Sequence, residues 1–297
     1  MRILLTGATG FIGSYVARTL IERGDEVYGI ALPGAPRRRL VGIESEMQLI
    51  EGDLADASWT HSTVAAMAPD AAIHTAWFAE PGTYLRAVPE NLDSLRAGIN
   101  LIDALVGEGT CRRIVLAGTC LENMETPGPT IYAAAKRAQH ELALGLAGRG
   151  VSAACAHIHY LYGPWEDERR VVPTVIRTLL AGNHVDVGSG AKTRDYLHVA
   201  DVAAALCRVA ESDLVGRVDI CTGAPVTLRQ VFDEIGRSTG RPELLRIGAL
   251  PEPESGGWPA TGDPTALLTT GWIPQYDLRQ GITETTAWWS KSERMGQ

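Results

Sequence analysis

The chain has 297 residues and a mass of 31.8 kDa, which exceeds one average domain and allows a large α/β unit with a smaller companion lobe. Hydrophobic residues make up 45% and charged residues 21% of the composition, and no segment approaches the roughly 18 uninterrupted apolar residues of a membrane span, so we expect a soluble protein without a membrane partner. The net charge of -8 argues against a general affinity for nucleic acid, because phosphate binding needs a basic face.

Cysteine usage and the N-terminus predict the cellular location. The five cysteines form no C-x-x-C pair and are scattered at Cys111, Cys120, Cys155, Cys207 and Cys221. Their odd number and spacing predict reduced thiols rather than a disulfide framework or a zinc site. The first residues have neither the apolar core of a signal peptide nor an Arg-rich transit segment, so we expect a cytoplasmic protein.

Short apolar runs alternate along the chain with segments of helical periodicity, a pattern typical of βαβ units around a parallel sheet. The first unit is a strand at residues 3–6, a helix with Ile12, Val16 and Leu20 on one face, and a second strand at residues 26–32. Further strands are predicted at residues 47–51, 71–75, 113–117 and 151–159. We therefore expect an α/β protein with a doubly wound parallel sheet of about seven strands.

Two long helices are predicted between the last three of these strands. In the first helix, apolar residues recur every three or four positions, at Leu92, Leu95, Ile99, Ile102 and Leu105. The second helix begins near Tyr132 and is rich in alanine. Either helix is suited to pack in a bundle against a second subunit.

The composition changes after residue 164, where prolines and glycines become frequent, and residues 251–262 are predicted to form no regular core element. The strand-helix segment at residues 194–221 is expected to return to the main sheet. We therefore predict a main domain of residues 1–159 plus 193–221 and a smaller substrate-binding lobe of residues 160–192 plus 222–297.

A G-x-x-G-x-x-G run occupies residues 7–13, between the first strand and the first helix. The first glycine permits a tight turn, the second lets the backbone approach a pyrophosphate, the third lets helix and strand pack closely, and the helix N-terminus attracts the anion. An ordinary glycine turn is the alternative, but the position at the first βα junction favours a Rossmann dinucleotide site. The predicted cofactor contacts are Gly7, Thr9, Gly10, Phe11, Ile12 and Gly13.

The end of the second strand usually distinguishes the two nicotinamide cofactors, because an acid there binds the 2′-hydroxyl of NAD whereas an arginine accepts the 2′-phosphate of NADP. The strand ends at Leu32 without an acid, and Arg37, Arg38 and Arg39 follow. This pattern favours NADP, bound by Arg37 and Arg38, with NAD as the alternative. A solvated basic loop is the other interpretation of the arginine run.

The third strand is followed by Gly52, Asp53 and Leu54. Asp53 is suited to accept a hydrogen bond from the adenine amino group, and a helix N-cap is an equally good interpretation of it. We expect Asp53 and Leu54 to contact the cofactor.

Tyr132 and Lys136 are four residues apart on a predicted helix, which places a phenol and an ammonium on one face about one turn apart. An ammonium and an oxidised nicotinamide both favour the phenolate, so they bring the pKa of a tyrosine toward the working pH. Upstream, Thr119 stands at the carboxyl end of a strand, where a hydroxyl faces ligands in an open α/β sheet. The pattern predicts that Thr119 binds the reacting oxygen, Tyr132 exchanges its proton, and Lys136 holds the nicotinamide ribose and tunes Tyr132.

The chain resembles the extended short-chain dehydrogenases, the NAD-dependent epimerase/dehydratase family, over nearly its whole length. The shared features follow in the family's order: the glycine run, the hydroxyl, Y-x-x-x-K, Y-G-P at residues 162–164 and R-D-Y-L-H-V at residues 194–199. The resemblance implies a nucleotide-sugar substrate, a homodimer formed by the two long helices, and contact between Arg194 and the substrate diphosphate. The alternative for Arg194 is a structural role in a buried network. Asp195, His198 and Asp201 correspond to structural residues of the family.

The sequence departs from the family pattern at several positions. Thr75 and Ala76 match the family's H-L-A-A after the fourth strand and are expected cofactor contacts, but Trp77 puts a large ring where many members are small. Trp77 either lines the sugar pocket or fills the core. Tyr160, which follows His159, predicts a substrate pocket of different polarity from that of a classical galactose epimerase.

Three reactions fit this resemblance. A 4,6-dehydratase is least favoured, because the family's Thr-Asp-Glu corresponds here to Thr119-Cys120-Leu121. We favour NADPH-dependent reduction of the C4 keto group of a nucleotide-activated deoxysugar, with Tyr132 as general acid; an epimerase with tightly bound NAD is the alternative. A dinucleotide-binding regulatory protein is less favoured, since such proteins usually lose the tyrosine or the lysine.

Overall fold

The computed structural model describes residues 1–124, 130–146, 149–251 and 258–295. Within these residues the strands are β1 (Arg2–Thr6), β2 (Glu26–Ala31), β3 (Gln48–Glu51), β4 (Ala71–His74), β5 (Arg113–Thr119), β6 (Ser152–Ile158), β7 (Tyr160–Tyr162), β8 (Val185–Val187), β9 (Thr193–Arg194), β10 (Tyr196–His198), β11 (Gly216–Ile220), β12 (Val226–Thr227) and β13 (Leu245–Ile247). Seven of these described strands form a single parallel sheet in the order β11-β6-β5-β4-β1-β2-β3. The predicted doubly wound parallel sheet is confirmed.

Helices cover both faces of this sheet. The described helices are α1 (Phe11–Glu22), α2 (Ala57–Met67), α3 (Val88–Glu108), α4 (Ile131–Leu144), α5 (Val171–Leu180), α6 (Val199–Glu211), α7 (Leu228–Thr239), α8 (Thr265–Leu268) and α9 (Leu278–Met295). Ile3 and Leu5 of β1 pack on the side of α1 and α6, whereas Leu4 packs on the side of α2, α3 and α4. Because successive side chains of a strand point to opposite faces, a strand buried on both sides reads as a continuous apolar run.

The strand order places a crevice at one edge of the sheet. β1 pairs with β2 on one side and with β4 on the other, so the chain winds outward from β1 in both directions. Ligands of open α/β sheets bind outside the carboxyl ends of the strands at such a switch point. Thr6, His74 and Thr119 end three strands at this edge.

A second apolar cluster is formed by α5, α7 and α9. Ile176, Ile235 and Ile282 are fully buried in it, one from each helix. The division of the chain into residues 1–159 plus 193–221 and residues 160–192 plus 222–297 remains a prediction. Trp272, from the second of these sets, packs in the cluster of the main sheet. Within the predicted loop at 251–262, residues 252–257 lie outside the described residues.

The segment at residues 194–221 returns to the main sheet only in its last part. β11 pairs with β6, whereas β9 pairs with β12 and β10 pairs with β7 in separate two-stranded sheets. Asp195, between β9 and β10, is fully buried and accepts hydrogen bonds from the backbone N–H groups of Thr222 and Gly223 at 2.8 and 2.9 Å. This carboxylate joins the connection between β9 and β10 to the loop after β11, which is a structural role.

Two further predictions can be compared with the structure. All five cysteines are buried free thiols. None of the helices in the described part of the chain has the length and apolar character needed to span a membrane.

Candidate active site

A cleft of about 1450 Å³ opens at the carboxyl edge of the sheet. It is bordered by the glycine turn, by the ends of β4 and β5, by the start of α4 and by the segment after β7. The predicted site residues that line it are Gly7, Thr9, Gly10, Phe11, Ile12, Gly13, Asp53, Leu54, Thr75, Ala76, Trp77, Thr119, Tyr132, Lys136, Tyr160 and Arg194. The structure thus brings sixteen of the eighteen predicted residues to one cleft, and their individual roles remain predictions.

The glycine turn can accept a pyrophosphate. Gly7 has φ of +71°, and a Cβ there would lie 2.8 Å from the backbone nitrogen of Ala76, so the turn needs glycine for both reasons. A Cβ on Gly13 would lie 2.1 Å from the carbonyl oxygen of Gly7. The N-cap of α1, Gly10, has no side chain, and the first turn has no acidic residue, so the positive end of the helix meets the cleft without a competing anion.

Arg37 and Arg38, the predicted ligands of a 2′-phosphate, are not among the residues that line the cleft, and their contact with the cofactor stays a prediction. The Arg37 guanidinium lies 2.5 Å from a Glu44 oxygen and 2.7 Å from a Glu51 oxygen, so two acids already compensate its charge. Arg38 is exposed. Arg39 lines the cleft instead, where its Nε donates to the carbonyl oxygen of Trp165 at 3.0 Å.

Asp53 is exposed at the edge of the cleft, and its Oδ1 accepts a hydrogen bond from the backbone N–H of Ala55 at 2.9 Å. The N-cap of α2 is Asp56, which accepts from the N–H of Trp59. The alternative of a helix N-cap at Asp53 is therefore wrong. Contact between Asp53 and the adenine amino group stays a prediction, and its position on the cleft wall is compatible with it.

Lys136 is buried at the base of the cleft, only 2% exposed. Its Nζ donates to the carbonyl oxygen of Ala117 at 2.6 Å and lies 4.0 Å above the ring of Trp77. Burial lowers the pKa of Lys136 to about 7, although the charge of Glu122 acts in the opposite direction. Trp77 lines the cleft and donates from its ring nitrogen to Asn91 at 2.9 Å, so this ring borders the site beside the lysine.

Tyr132 lies in the first turn of α4, which begins after the N-cap Thr130. Its ring makes edge-on contacts with Tyr84 at 4.9 Å and with Trp77 at 6.3 Å between centroids. Burial, together with the nearby Tyr84 and Glu122, raises the pKa of Tyr132 above its ordinary value. The expectation that Lys136 and an oxidised nicotinamide together lower this pKa stays a prediction. A raised pKa keeps the phenol protonated at neutral pH.

Thr119 ends β5 and caps the short helical turn at Cys120–Asn123. Its Oγ1 accepts from the N–H of Leu121 at 3.3 Å, and its own N–H donates to Glu122 Oε1 at 2.7 Å. A hydroxyl that accepts in this way still has its proton to donate. The T-x-x-E spacing of a capping box was visible in the sequence, but it points equally to any helix start.

The far side of the cleft carries aromatic rings and arginines. The Arg194 guanidinium lies 5.2 Å from the ring of Tyr160 and 6.0 Å from that of Trp258, and Arg170 lies 5.0 Å from the ring of Tyr84. Cations over aromatic faces next to an open cleft fit an anionic ligand that carries flat rings.

Known proteins share the sequence pattern and the fold. The model of the NAD dependent epimerase/dehydratase family matches residues 3–220. The chain belongs to this family. Among its relatives, dTDP-4-dehydro-6-deoxy-D-allose reductase of a Streptomyces species is 24% identical, covering 98% of this chain and 97% of the relative. UDP-glucose 4-epimerase of Mycolicibacterium smegmatis is 29% identical, covering 96% and 97%.

The fold of this family member also matches solved structures. UDP-glucose 4-epimerase of Thermus thermophilus, in complex with NAD, superimposes with a TM-score of 0.84 at 25% identity, covering 97% of this chain and 99% of that chain. These comparisons show the family and the fold.

Several cleft residues of this family member give no signal in the sequence. Glu166 lines the cleft, and burial raises its pKa to about 8 despite the nearby Arg170. Tyr84 and Arg170 contact each other across the cleft from segments that are distant in the chain. No local pattern marks such residues, because only the tertiary fold brings them together.

Proposed function

We propose that the protein reduces the keto group, at C4, of a nucleotide-activated deoxysugar. The observation that carries this proposal is that the cleft which holds the glycine turn also holds Thr119, Tyr132 and Lys136. A dinucleotide bound at the turn and a carbonyl bound at the hydroxyls would share one enclosed space.

Tyr132 is the proposed general acid. Because burial raises its pKa, the phenol holds its proton at neutral pH and can donate it to the oxygen of a carbonyl under reduction. Thr119 is proposed to hydrogen-bond the same oxygen. Lys136, with its donor atom at the base of the cleft, is proposed to hold ribose hydroxyls and to return a proton to Tyr132.

The residues at the turn fit a dinucleotide, since a Cβ on Gly7 or Gly13 would fill the space next to the α1 N-terminus. A reduced nicotinamide bound in the cleft would supply the hydride for the keto carbon. We propose NADPH as the reductant, with NADH as the alternative. The absence of an acid at Leu32 and the position of Arg39 in the cleft support NADPH, whereas the pairing of Arg37 with two glutamates weakens it.

Arg194 is proposed to bind the diphosphate of the substrate, with Tyr160 and Trp77 beside the sugar. The guanidinium of Arg194 over the Tyr160 ring supports an anionic ligand with a planar base. The names of two relatives, a dTDP-4-dehydro-6-deoxy-D-allose reductase and a UDP-glucose 4-epimerase, support a nucleotide-sugar.

A 4,6-dehydratase is disfavoured by the residues after Thr119. Cys120 and Leu121 are 5% and 3% exposed apolar residues, and the carboxylate of Glu122 is 1% exposed and is not among the described cleft residues. A dehydratase needs acids next to the reacting hydroxyl to move protons at neighbouring carbons.

An epimerase with tightly bound NAD is the second candidate. It is favoured by the 29% identity with a UDP-glucose 4-epimerase and by the match to an epimerase complexed with NAD. A regulatory dinucleotide-binding protein, the third class, gains no support from a cleft that retains both Tyr132 and Lys136.

We also propose a cytoplasmic homodimer formed through α3 and α4. Leu92 and Ile99 of α3 and Leu142 of α4 are exposed apolar residues, at 45%, 39% and 51%. Light scattering of the purified protein tests this: a monomeric mass would contradict it.

The proposed reaction is tested by incubating the protein with nucleotide-4-ketosugars and NADPH or NADH while cofactor absorbance is followed. Steady cofactor oxidation with formation of the alcohol is the expected result. Interconversion of two sugars without net cofactor oxidation, with NAD released on denaturation, would establish the epimerase instead. Bound cofactor with no change in any sugar of the panel would favour the regulatory class.

A further inference from the structure

Three buried ionisable side chains lie behind the turn that carries Thr119. Glu122, His140 and His157 are 1%, 3% and 5% exposed. Glu122 Oε2 lies 2.6 Å from His140 Nδ1 and 3.3 Å from His157 Nε2. On the far side, Asp219 Oδ1 lies 3.9 Å from His157 Nδ1. A carboxylate thus connects α4, which carries His140, with β6, which carries His157.

The other oxygen of Glu122 supports the turn itself. Oε1 accepts the hydrogen bond from the N–H of Thr119 at 2.7 Å, in a capping box with the Thr119 hydroxyl. Burial acts to raise the pKa of Glu122, but hydrogen bonds from His140 and His157 outweigh it and hold the pKa near 2. The lowered pKa favours the charged form of the carboxylate.

The packing around this carboxylate is tight. A Cβ on Gly118 would lie 2.3 Å from Cε1 of His140 and 2.6 Å from Oε1 of Glu122. Gly118 precedes Thr119 in β5, so the absence of a side chain there lets the glutamate and the imidazole approach the strand. The turn, the strand and α4 meet at Glu122.

Lys136 lies one helical turn before His140, and its Nζ donates to the carbonyl oxygen of Ala117, next to Gly118, where Glu122 Oε1 approaches the same strand. Within the described residues, Glu122 is the acid whose charge acts on Lys136. The other ionisable groups around the lysine are His74 of β4, with a pKa lowered by burial to about 3, and Tyr132 and His140 of α4. None of these supplies a negative charge at neutral pH.

We propose that Glu122 is a positioning residue of the site: its carboxylate, held by His140 and His157, fixes the turn that presents Thr119 and supplies the negative charge that Lys136 faces from inside the protein. This inference rests on the proposed roles of Thr119 and Lys136. Neutralising Glu122 leaves a buried lysine without a counter-charge, which favours its neutral form.

A metal ion is the competing interpretation, since the three ligand atoms lie within 4.8 Å of one another. The distance of 2.6 Å between Glu122 Oε2 and His140 Nδ1 leaves no room for an ion between the two atoms. A structural zinc site also takes about four ligands. The geometry therefore favours direct pairing of the carboxylate with the imidazoles.

The test compares the wild-type protein with Glu122→Gln, which retains an oxygen for the Thr119 N–H but removes the charge. The chain has three lysines, Lys136, Lys192 and Lys291, so NMR of protein labelled with ¹³C at lysine Cε resolves each titration. Variants K192R and K291R assign the signals. We expect the Lys136 midpoint to fall by about half a unit or more in Glu122→Gln, with the other two lysines unchanged.

The matched control is Glu141→Gln, which removes the same charge from the next residue after His140 on the exposed face of α4. This variant should leave the Lys136 midpoint in place. An unmoved Lys136 midpoint in Glu122→Gln, or stoichiometric metal in protein purified without chelator, would overturn the inference. The NMR readout does not depend on turnover, so it remains decisive if the proposed reaction is wrong.

Turnover provides the second readout. Glu122→Gln should lower kcat about tenfold or more with KM for the cofactor within about twofold, and should change the pH profile of kcat, which a loss of stability alone would not do. Glu122→Asp retains the charge but is one methylene shorter, so it should keep the Lys136 midpoint and recover only part of kcat. If the Lys136 signal cannot be titrated in Glu122→Gln, the Glu122→Asp variant still tests the proposal. A kcat equal to that of the wild type in Glu122→Asp would overturn the positioning role.

Discussion

Two regions border the same cleft: the glycine turn at residues 7–13, and the catalytic edge, which is formed by the end of β5 and the first two turns of α4. The glycine turn is formed by backbone atoms, and its shape depends on the absence of Cβ atoms at Gly7 and Gly13. The catalytic edge is formed by the side chains of Thr119, Tyr132 and Lys136, which lie on two separate elements and are supported by a carboxylate and two imidazoles behind them.

The difference predicts how each region responds to substitution. A backbone site is local, so a change there should act on cofactor binding and on stability through steric overlap. A side-chain site depends on protonation and on remote contacts, so a change there should act on turnover while binding persists.

Tyr132→Phe should have the largest effect. It removes the proton that the buried phenol donates, and we expect kcat to fall by about 100- to 10,000-fold. The dissociation constant of the cofactor should stay within about twofold, because the glycine turn is unchanged. Steady-state rates and cofactor titration by fluorescence measure the two quantities.

Tyr84→Phe is the matched control, since the Tyr84 ring lies 4.9 Å from the Tyr132 ring and also borders the cleft. We expect it to retain more than about a tenth of wild-type turnover. If Tyr132→Phe also retains a tenth of the rate, Tyr132 is not the general acid.

Gly13→Ala should act on the other region. Its Cβ would lie 2.1 Å from the Gly7 carbonyl oxygen, so the turn must shift, at a cost of about 1–3 kcal/mol. We expect a lower Tm and a cofactor dissociation constant raised about tenfold or more. Gly10→Ala, where the nearest atom is 3.0 Å away, should have a smaller effect on Tm. Equal Tm values for the two variants would contradict the steric argument.

Two neighbouring arginines, Arg39 and Arg37, are expected to differ in their effect on the choice of cofactor. Arg39→Ala should raise KM for NADPH about fivefold to tenfold and leave KM for NADH within about twofold, because Arg39 lines the cleft. Arg37→Ala should change neither constant, since Glu44 and Glu51 already compensate its charge. If Arg39→Ala changes KM for NADPH no more than KM for NADH, NAD would be favoured as the cofactor.

The difference between the glycine turn and the catalytic edge also explains which features the sequence could predict. The glycine run, six of the seven strands of the main sheet and the Y-x-x-x-K pair are local patterns with a fixed period or spacing, and the structure brings the glycine run and the pair to one cleft. The position of the seventh strand, β11, and the pairing of Arg37 with Glu44 and Glu51 depend on the tertiary fold, so the sequence does not reveal them.

Residues of the catalytic edge were harder to predict. His140 and His157 gave no signal, because their partner Glu122 is reached only through the packing of α4 on β5 and β6. The burial that raises the pKa of Tyr132 was not visible either, because the sequence does not state how deeply a side chain lies in the fold.

Glu166→Gln should give the smallest effect, in the pH dependence of stability. Burial raises the pKa of Glu166 to about 8, so the folded protein holds a proton that the unfolded chain loses near its ordinary carboxyl pKa. Stability should therefore fall as pH rises from about 4.5 to 8. In Glu166→Gln the decline should be smaller, with a Tm loss about 2–4 °C less than in the wild type. Parallel curves of Tm against pH for the two proteins would show that ionisation of Glu166 does not lower stability. The part of the cleft beside Arg170 would then be a solvated surface rather than a desolvated part of the catalytic edge.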